Sequence, residues 1–393
     1  MTAADRVLPQ IDRVFAPPRA AYVHVPFCRH RCGYCNFTLI AGRDDLMERY
    51  LRALARELLR LGERKPVDTL FFGGGTPTHL PPLQLAQIFE LVRDWFVLQP
   101  RFEFSVEANP LDLTAERCAV LQEAAVSRIS LGAQSFNQRK LTILERDHSP
   151  QQIGEAFHAA AQVASSVSLD LIFGVPDETL DEWENDLQQA LALQPQHIST
   201  YGLTIEKGTA FFPRVSRGEL TPANEDTAAA MYERTIDVLT AAGYEHYEVS
   251  NFARPGNRCR HNETYWLGRG YFAVGPGAAR YVNGAREMNH RSTTAWLQRL
   301  EANESPVAER EELSSEDRAR ERLVFGLRRL DGIDVSDFAL ETGFAVEQLG
   351  GESLQRFVQQ GFLERSETTL RLTRRGLLIS DSLWPYLLSS DES

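Results

Sequence analysis

The sequence predicts an α/β protein built on a partial (β/α)6 barrel of the TIM type, with added strands and a small C-terminal winged-helix-like domain. From residue 21 onward, short apolar runs rich in β-branched residues alternate with longer segments of helical periodicity. This alternation is typical of βα units around a parallel sheet. It stops near residue 242, and 393 residues exceed what a single small core accommodates. A core of six units followed by smaller parts is therefore expected.

The six predicted strands and the helices between them follow in chain order. The strands are expected at residues 21–25, 68–72, 102–107, 128–131, 168–173 and 197–203. The helices are expected at residues 45–61, 82–95, 114–124, 151–164, 179–193 and 224–242. Asp44, Thr114 and Thr179 are predicted N-caps, because their side-chain oxygens can accept hydrogen bonds from the free amides of a first helical turn.

Beyond the core, the chain is expected to divide further. Residues 1–20 are interpreted as a surface arm, 21–242 as the core barrel, 243–310 as accessory strands and loops, and 311–393 as the C-terminal domain. That domain is expected to start with a helix capped by Ser314 and Asp317, followed by two helices, a hairpin at 363–372 and a closing helix from Thr373. Residues 311–393 contain 10 Arg, no Lys and 16 acidic residues, so packing or partner docking is favoured over DNA binding.

The unusual residues of the core fall where its predicted strands end. A cysteine loop follows the first strand, and residues 73–77, of sequence Gly-Gly-Gly-Thr-Pro, follow the second. The remaining strand ends carry Glu107, Gln134, Asp170, and Tyr201 with Glu206. Barrels of this kind place their chemistry at the C-terminal ends of the strands. A shared site at one rim is predicted.

Cys28, Cys32 and Cys35 form a C-x3-C-x2-C motif without a fourth cysteine nearby. Three thiolates on a 4Fe–4S cluster leave one iron free for a small molecule, so the motif favours a reactive cluster. Zinc completed by His24 or His30 is the alternative, since structural zinc sites close their tetrahedron with protein ligands. Disulfides are disfavoured by the odd count of five cysteines and by the lack of a secretory signal at the start of the sequence.

A vacant cluster iron can take the amino and carboxylate groups of S-adenosylmethionine, whose carbon–sulfur bond breaks on reduction. The glycine run would permit close approach of the cofactor, or simply form a tight turn. Glu107 is a candidate acceptor for the cofactor's ammonium and Asp170 for its ribose hydroxyls, with ion pairs to arginines as the alternative. Arg146 would meet the cofactor carboxylate, or be a solvated charge at a helix end.

Composition limits the partners and the compartment. A net charge of -12 and a pI near 5.4 disfavour nucleic acid, which requires a positive surface. No apolar stretch approaches the roughly twenty residues that cross a bilayer, and the first twenty residues resemble neither a signal peptide nor a transit peptide. A cytoplasmic protein is expected, and contact with a membrane surface is left open.

Several motifs together resemble the radical S-adenosylmethionine (SAM) superfamily. They are the Tyr-Val-His-Val-Pro-Phe-Cys run at 22–28 with the two further cysteines, then Gly-Gly-Gly-Thr-Pro, Glu-Ala-Asn-Pro and Leu-Gly-Ala-Gln-Ser-Phe. The resemblance implies that the three cysteines bind a 4Fe–4S cluster. It also implies contacts to SAM from Tyr22, Tyr34, Gly74, Gly75, Thr76, Glu107, Gln134, Arg146 and Asp170. It assigns no catalytic residue.

Within the superfamily, the chain resembles the branch of oxygen-independent coproporphyrinogen III oxidase and the HemW heme chaperones. The oxidases carry a further cysteine two residues after the third ligand, where this chain has Phe37. Residues 261–266 are similar to the H-N-x-x-Y-W signature of HemW proteins. The resemblance implies heme binding and transfer to heme-accepting proteins, with an electron donor as a further partner. Coproporphyrinogen decarboxylation and radical heme degradation are the alternatives.

The candidate heme ligands are His261 and Cys259, which are expected in a turn flanked by aromatic residues. Histidine and cysteine are both common axial ligands of heme iron. A turn histidine that is hydrogen-bonded to backbone is the structural alternative for His261.

Overall fold

The computed structural model describes residues 16–389. Its strands are β1 Ala20–Val25, β2 Phe27–Cys28, β3 Ile40–Ala41, β4 Lys65–Gly74, β5 Phe96–Ala108, β6 Arg128–Gln134, β7 Ser166–Phe173, β8 His197–Gly202, β9 Glu245–Glu248, β10 Asn251–Ala253, β11 Phe272–Val274, β12 Ala279–Val282, β13 Ala285–Asn289, β14 Val307–Glu312, β15 Ile333–Asp334, β16 Leu363–Arg365 and β17 Thr369–Leu372. Its helices are α1 Met47–Leu59, α2 Pro82–Arg93, α3 Ala115–Glu123, α4 Gln138–Ile143, α5 Pro150–Val163, α6 Leu180–Ala192, α7 Phe211–Ser216, α8 Glu225–Ala241, α9 Arg260–Trp266, α10 Thr293–Glu301, α11 Ser315–Arg328, α12 Val335–Thr342, α13 Val346–Gln359, α14 Arg374–Leu377 and α15 Ser380–Leu388.

The largest sheet within residues 16–389 has nine strands, in the order β11-β1-β4-β5-β6-β7-β8-β10-β9. β1, β4, β5, β6, β7 and β8 are parallel neighbours in chain order, which confirms the six predicted βα units. The sheet does not close into a complete barrel. β11 adds parallel to β1, and β10 and β9 add antiparallel beyond β8, so the segment after residue 242 supplies both outer positions of the sheet.

The predicted caps were correct at two of three positions. Thr114 accepts a hydrogen bond from Arg117 N at the start of α3, and Thr179 forms a capping box with Glu182 at the start of α6. The prediction for Asp44 was wrong. Asp44 begins a 3-10 turn, α1 starts only at residue 47 without a side-chain cap, and the Asp44 carboxylate lies 3.1 Å from His79 Nε2. The Asp44 side chain therefore contacts His79, which is distant in sequence, and does not cap the first turn of α1.

Several other elements differ from the prediction. β5 begins at Phe96, directly after the predicted helix 82–95 and well before the predicted strand start at residue 102, because residues 96–98 pair with residues 65–67 before a register shift. α4, α7, α9 and α10 were not predicted. The residues expected to form a turn around His261 instead form α9.

A buried carboxylate joins the core to the added strands. Glu57 on α1 accepts hydrogen bonds from Gly275 N at 2.9 Å, Asn289 Nδ2 at 2.6 Å and Trp296 Nε1 at 3.1 Å. Burial raises the pKa of Glu57 to about 7, although these three hydrogen bonds oppose the shift. The loop after β11, the strand β13 and the helix α10 are thereby attached to the first helix of the core.

The C-terminal part has the predicted winged-helix order. Ser314 accepts a hydrogen bond from Asp317 N at the start of α11, as expected, and Thr373 caps α14. The wing is a three-stranded sheet with the order β15-β17-β16. β14 still pairs with β13 as far as Glu312, and the division of the chain at 311 stays a proposal.

Two findings concern the ends of the chain and the membrane. Most of the predicted N-terminal arm, residues 1–15, lies outside the described residues. Across residues 16–389, none of the helices combines the length and the apolar character that crossing a membrane requires.

Candidate functional site

The cysteine loop lies at the C-terminal end of β1. Cys28 ends β2, Cys35 N donates a hydrogen bond to Cys32 O at 3.0 Å, and Cys28 and Cys32 are buried while Cys35 is half-buried. Burial raises the pKa of Cys28 to about 12; Thr76 lowers it, and the neighbouring Cys35 and Cys32 raise it further. The three thiols are therefore neighbours in one poorly solvated place, where a positive metal group would favour the thiolates.

The guanidinium of Arg146 lies beside the cysteine loop and has one hydrogen-bond donor without a partner among the described residues. Its Nη1 lies 3.6 Å from Cys32 Sγ, and its Nη2 donates to Gly132 O at 3.3 Å. Its Nε is buried and has no hydrogen-bond partner within residues 16–389. Buried polar groups are normally paired, so this orphaned donor indicates an anionic or polar ligand. Three thiols beside a guanidinium fit an anionic iron–sulfur cluster with a carboxylate-bearing ligand next to it.

The zinc alternative finds weak support in this geometry. His24 uses both ring nitrogens inside the protein, one 3.0 Å from Tyr22 Oη and the other 2.6 Å from Thr38 O. His30 Nε2 lies 3.5 Å from Cys32 Sγ and is hydrogen-bonded to Glu145 O. Both histidines therefore have hydrogen-bond partners within the protein.

The glycine run packs tightly against the cysteine loop. Gly75 N donates to Val25 O and Thr76 N donates to Phe27 O, both at 2.8 Å, and Thr76 Oγ1 lies 3.5 Å from Cys28 Sγ. A Cβ on Gly75 would lie 2.7 Å from the backbone oxygen of Phe27. Packing alone therefore requires a glycine at this position, and the contact of this turn with SAM stays a prediction.

Glu107 lies near the end of β5 and Asp170 lies on β7, close enough for the charge of Asp170 to act on Glu107. Glu107 accepts a hydrogen bond from Gly74 N at 3.1 Å, and burial, reinforced by Asp170, raises its pKa to about 8. Asp170 accepts a bifurcated hydrogen bond from Ser130 Oγ at 2.9 and 3.0 Å, and burial raises its pKa. Within residues 16–389 neither carboxylate forms an ion pair, so the structural alternative of a salt bridge is absent there. Asp170 also accepts a hydrogen bond from Ser168 Oγ at 3.4 Å, so both carboxylates are held by hydrogen bonds and neither has a paired cation among the described residues.

Three further predicted contacts line the same rim. Gln134 ends β6 with φ of 64°, next to a register shift against β7, and strain of this kind often occurs at functional sites. Tyr22 lies close enough to Glu107 for that carboxylate to add to the effect of burial in raising the tyrosine pKa. Tyr34 contacts Arg146, and its ring is 6.3 Å from that of Phe211. The structure thus brings the predicted residues together, and their roles stay predictions.

The sequence pattern missed α7, which covers the cysteine loop. Phe211 N donates to Gly33 O at 2.9 Å, and a Cβ on Gly33 would lie 2.3 Å from the Phe211 ring. Arg214 on the same helix forms an ion pair with Glu145 at 3.2 Å. A glycine between two cysteines was the available signal, but its partner lies too far along the chain to be identified locally.

A buried lysine was also missed. Lys140 Nζ is ion-paired with Glu178 and with Asp186, and all three side chains are fully buried. Asp186 also accepts hydrogen bonds from Ser135 Oγ and Phe136 N, immediately after Gln134. The triad therefore fixes the loop that holds Gln134.

The H-N-x-x-Y-W segment forms α9, and its first amides are capped from β5. Glu103 accepts hydrogen bonds from Arg260 N at 2.9 Å and His261 N at 3.0 Å. Cys259 Sγ lies 3.6 Å from the same carboxylate, and burial raises the pKa of this thiol to about 12. The prediction of a turn here was wrong. Glu103, which is distant in sequence, accepts hydrogen bonds from the first amides and so allows a helix to start.

His261 is 1% exposed and both of its ring nitrogens are hydrogen-bonded. Nδ1 lies 2.9 Å from Thr69 Oγ1, Nε2 lies 2.8 Å from Tyr265 Oη, and the ring stacks on Phe71 with centroids 5.1 Å apart. Burial lowers its pKa to about 3. In this conformation neither His261 nor the equally buried Cys259 presents a free ligand atom, so their role as heme ligands stays a prediction without geometric support.

The parallel sheet and its three-cysteine rim define the class of the protein. The family model of the radical SAM superfamily matches residues 22–190, and that of the HemN C-terminal domain matches residues 313–379. A solved structure described as the radical SAM enzyme coproporphyrinogen III oxidase (HemN) from Escherichia coli shares the fold. Its TM-score is 0.84 at 21% identity, over 95% of this chain and 90% of that chain.

Sequence relatives narrow the class. "Heme chaperone HemW" of Bacillus subtilis is 33% identical over 94% of this chain and 99% of its own length. The Mycobacterium tuberculosis protein of the same name is 36% identical over 97% of both chains. Bovine "Radical S-adenosyl methionine domain-containing protein 1, mitochondrial" is 35% identical over 98% of this chain and 91% of its own. The chain belongs to the HemW family of radical SAM proteins.

Proposed function

We propose that this protein is a heme chaperone that binds a 4Fe–4S cluster, SAM and heme, and passes heme to acceptor proteins. The observation that carries the proposal is the similarity to proteins named heme chaperone HemW along nearly the whole chain. Phe37, which stands where the related oxidases carry a further cysteine, supports this branch over coproporphyrinogen oxidation.

The residues at the rim have separable tasks in this proposal. Cys28, Cys32 and Cys35 hold the cluster, which supplies a vacant iron position and an electron for reductive cleavage of SAM. Arg146 directs its unpaired Nε to the cofactor carboxylate.

The remaining contacts to SAM follow from the same arrangement. Glu107 accepts from the ammonium and Asp170 from the ribose hydroxyls. The backbone and side chains of the glycine turn, Tyr22, Tyr34 and Gln134 complete the cofactor pocket. No catalytic residue is assigned.

The proposed partners follow from the same assignment. They are heme, heme-accepting proteins and an electron donor, in the cytoplasm, and peripheral contact with a membrane is left open. Nucleic acid is not among them, since the chain carries a net charge of -12. The division into an arm, a core, accessory strands and a C-terminal domain of docking type is part of the proposal.

The experiment has three parts on anaerobically reconstituted protein. Iron and sulfide content is measured for the wild type and for single Cys→Ala variants of the three ligands, with Cys118→Ala as the control on a distant helix. Heme is titrated and then offered to an apo heme protein. Finally, the protein is incubated with reductant, SAM and coproporphyrinogen III, and the products are analysed.

The proposal expects about four irons per chain in the wild type and in Cys118→Ala, and a loss of iron in each ligand variant. It also expects heme binding, heme transfer and unchanged coproporphyrinogen III. Accumulation of protoporphyrinogen IX would instead establish the oxidase alternative. Stoichiometric zinc at the triplet, with refusal of iron and sulfide, would reject the cluster.

A further inference from the structure

A cavity of about 360 Å³ opens beside the cysteine loop, and Tyr22 and His24 of β1 form part of its lining. Its lining includes Tyr22, Phe37, Tyr265, Tyr271, Met288 and Arg291. This volume falls within the range of about 300–1,000 Å³ that is typical of small-molecule sites. The aromatic side chains and the methionine provide an apolar, polarisable surface of the kind that a flat macrocycle contacts.

The rim of the cavity carries a cation without an acidic partner. Arg291 is exposed, and its guanidinium donates only to Thr38 Oγ1 at 3.4 Å and Asn36 O at 3.2 Å. Across residues 16–389 it forms no ion pair, although most arginines in the described chain do. Phe37, on the same rim, is 67% exposed. An apolar cavity with an unpaired guanidinium at its edge fits an aromatic ligand that bears a carboxylate.

α9 contributes a wall of the cavity, and this gives His261 a structural role that does not require it to bind iron. Tyr265 lines the cavity, and its hydroxyl is hydrogen-bonded to His261 Nε2 at 2.8 Å. His261 is in turn held by Thr69 and by the stacked ring of Phe71. The histidine therefore positions a wall of the cavity from behind.

We infer that heme binds in this cavity, with its macrocycle against Tyr265 and Met288 and one propionate paired with Arg291. The inference rests on the proposed function, because it names the place where the chaperone holds its cargo. It puts heme next to the cysteine loop, since Asn36, Phe37 and Thr38 follow Cys35 directly. The outer propionate edge remains at the surface, where an acceptor protein can reach it.

The test is a heme titration of the reconstituted full-length protein, followed by Soret absorbance. Arg291→Glu replaces the ion pair by repulsion and is expected to weaken heme binding at least tenfold. Arg64→Glu is the matched control. Arg64 is exposed and precedes the first residue of β4, whereas the glycine turn lies at the other end of that ten-residue strand. Ala279→Trp, which fills the cavity, is expected to weaken binding independently of charge.

Two further measurements identify the contacts. Heme dimethyl ester, which lacks both carboxylates, is expected to bind the wild type more weakly than heme does. It should lose little more affinity in Arg291→Glu, because the paired group is already gone. His261→Ala is expected to weaken heme binding while leaving the Soret position of the bound heme unchanged.

The outcomes that contradict the inference differ from one another. If the wild type binds heme but Arg291→Glu and Ala279→Trp match it, the cavity is overturned and the chaperone assignment survives. A shifted Soret band in His261→Ala would make that histidine an iron ligand and likewise place heme elsewhere. If the wild type binds no heme, both the cavity and the proposed function are overturned.

Discussion

Removing the Glu103 carboxylate should unfold α9 locally. Glu103→Ala deprives the part-buried amide of Arg260 and the buried amide of His261 of their acceptor. An unsatisfied buried donor costs about 1–3 kcal/mol, and loss of an N-cap typically costs about 1 kcal/mol. Two donors therefore give a total of about 3 kcal/mol. Because about 1.4 kcal/mol corresponds to a factor of ten, the local opening equilibrium should rise roughly a hundredfold.

Hydrogen exchange with mass spectrometry measures this opening directly. Peptides covering 259–267 should exchange roughly a hundredfold faster in Glu103→Ala, while peptides from α6 keep the wild-type rate. Glu103→Gln retains one acceptor oxygen and should give an intermediate rate. Wild-type exchange of 259–267 in Glu103→Ala would refute the reasoning, since packing of Tyr265 and Trp266 alone would then hold the helix.

Three further predictions concern other parts of the chain. Lys140→Met leaves two buried carboxylates without a cation, which costs about 3–5 kcal/mol, and Tm should fall by roughly 5 °C; an unchanged Tm would contradict this. Burial raises the pKa of Glu57 from 4.5 to about 7, so between these pH values the folded protein holds a proton on Glu57 that the unfolded chain has lost. The free energy of unfolding should therefore fall by about 3 kcal/mol as the pH rises from 4.5 to about 7. Denaturant unfolding at several pH values measures this dependence, and the free energy of unfolding of Glu57→Gln should change less with pH than that of the wild type. Gly75→Ala would force a methyl group against a fixed backbone oxygen, and bound iron after reconstitution should drop. Gly154→Ala, in open space on α5, should keep its iron and gain up to about 1 kcal/mol of stability.

The parts of the fold that local periodicity governs could be predicted from the sequence. The six parallel strands and the helices between them follow from apolar runs and helical spacing, and Thr114 and Thr179 cap their helices with their own side chains. The rim was predictable because parallel strands end on one side, so residues such as Glu107 and Gln134 had to meet there.

The parts that depend on distant partners could not be predicted. α9 starts where it does because Glu103, far back in the chain, accepts its first amides. The Asp44 carboxylate contacts His79 and does not cap α1. Lys140 pairs with Glu178 and Asp186, which lie about forty residues further along the chain. The burial of His261 follows from tertiary packing on Phe71, which no local pattern encodes.

The pairing of β1 with β11 and of β8 with β10 sets a minimum length for any working fragment. A fragment that stops at residue 242 would keep β1, β4, β5, β6, β7 and β8, yet the outer backbone amides and carbonyls of β1 and β8 would have no strand to pair with. Bare strands of this kind recruit one another between molecules, and such a fragment should precipitate. The segment 22–190 that matches the superfamily model is shorter still, because β8, β9, β10 and β11 of the same sheet lie beyond it.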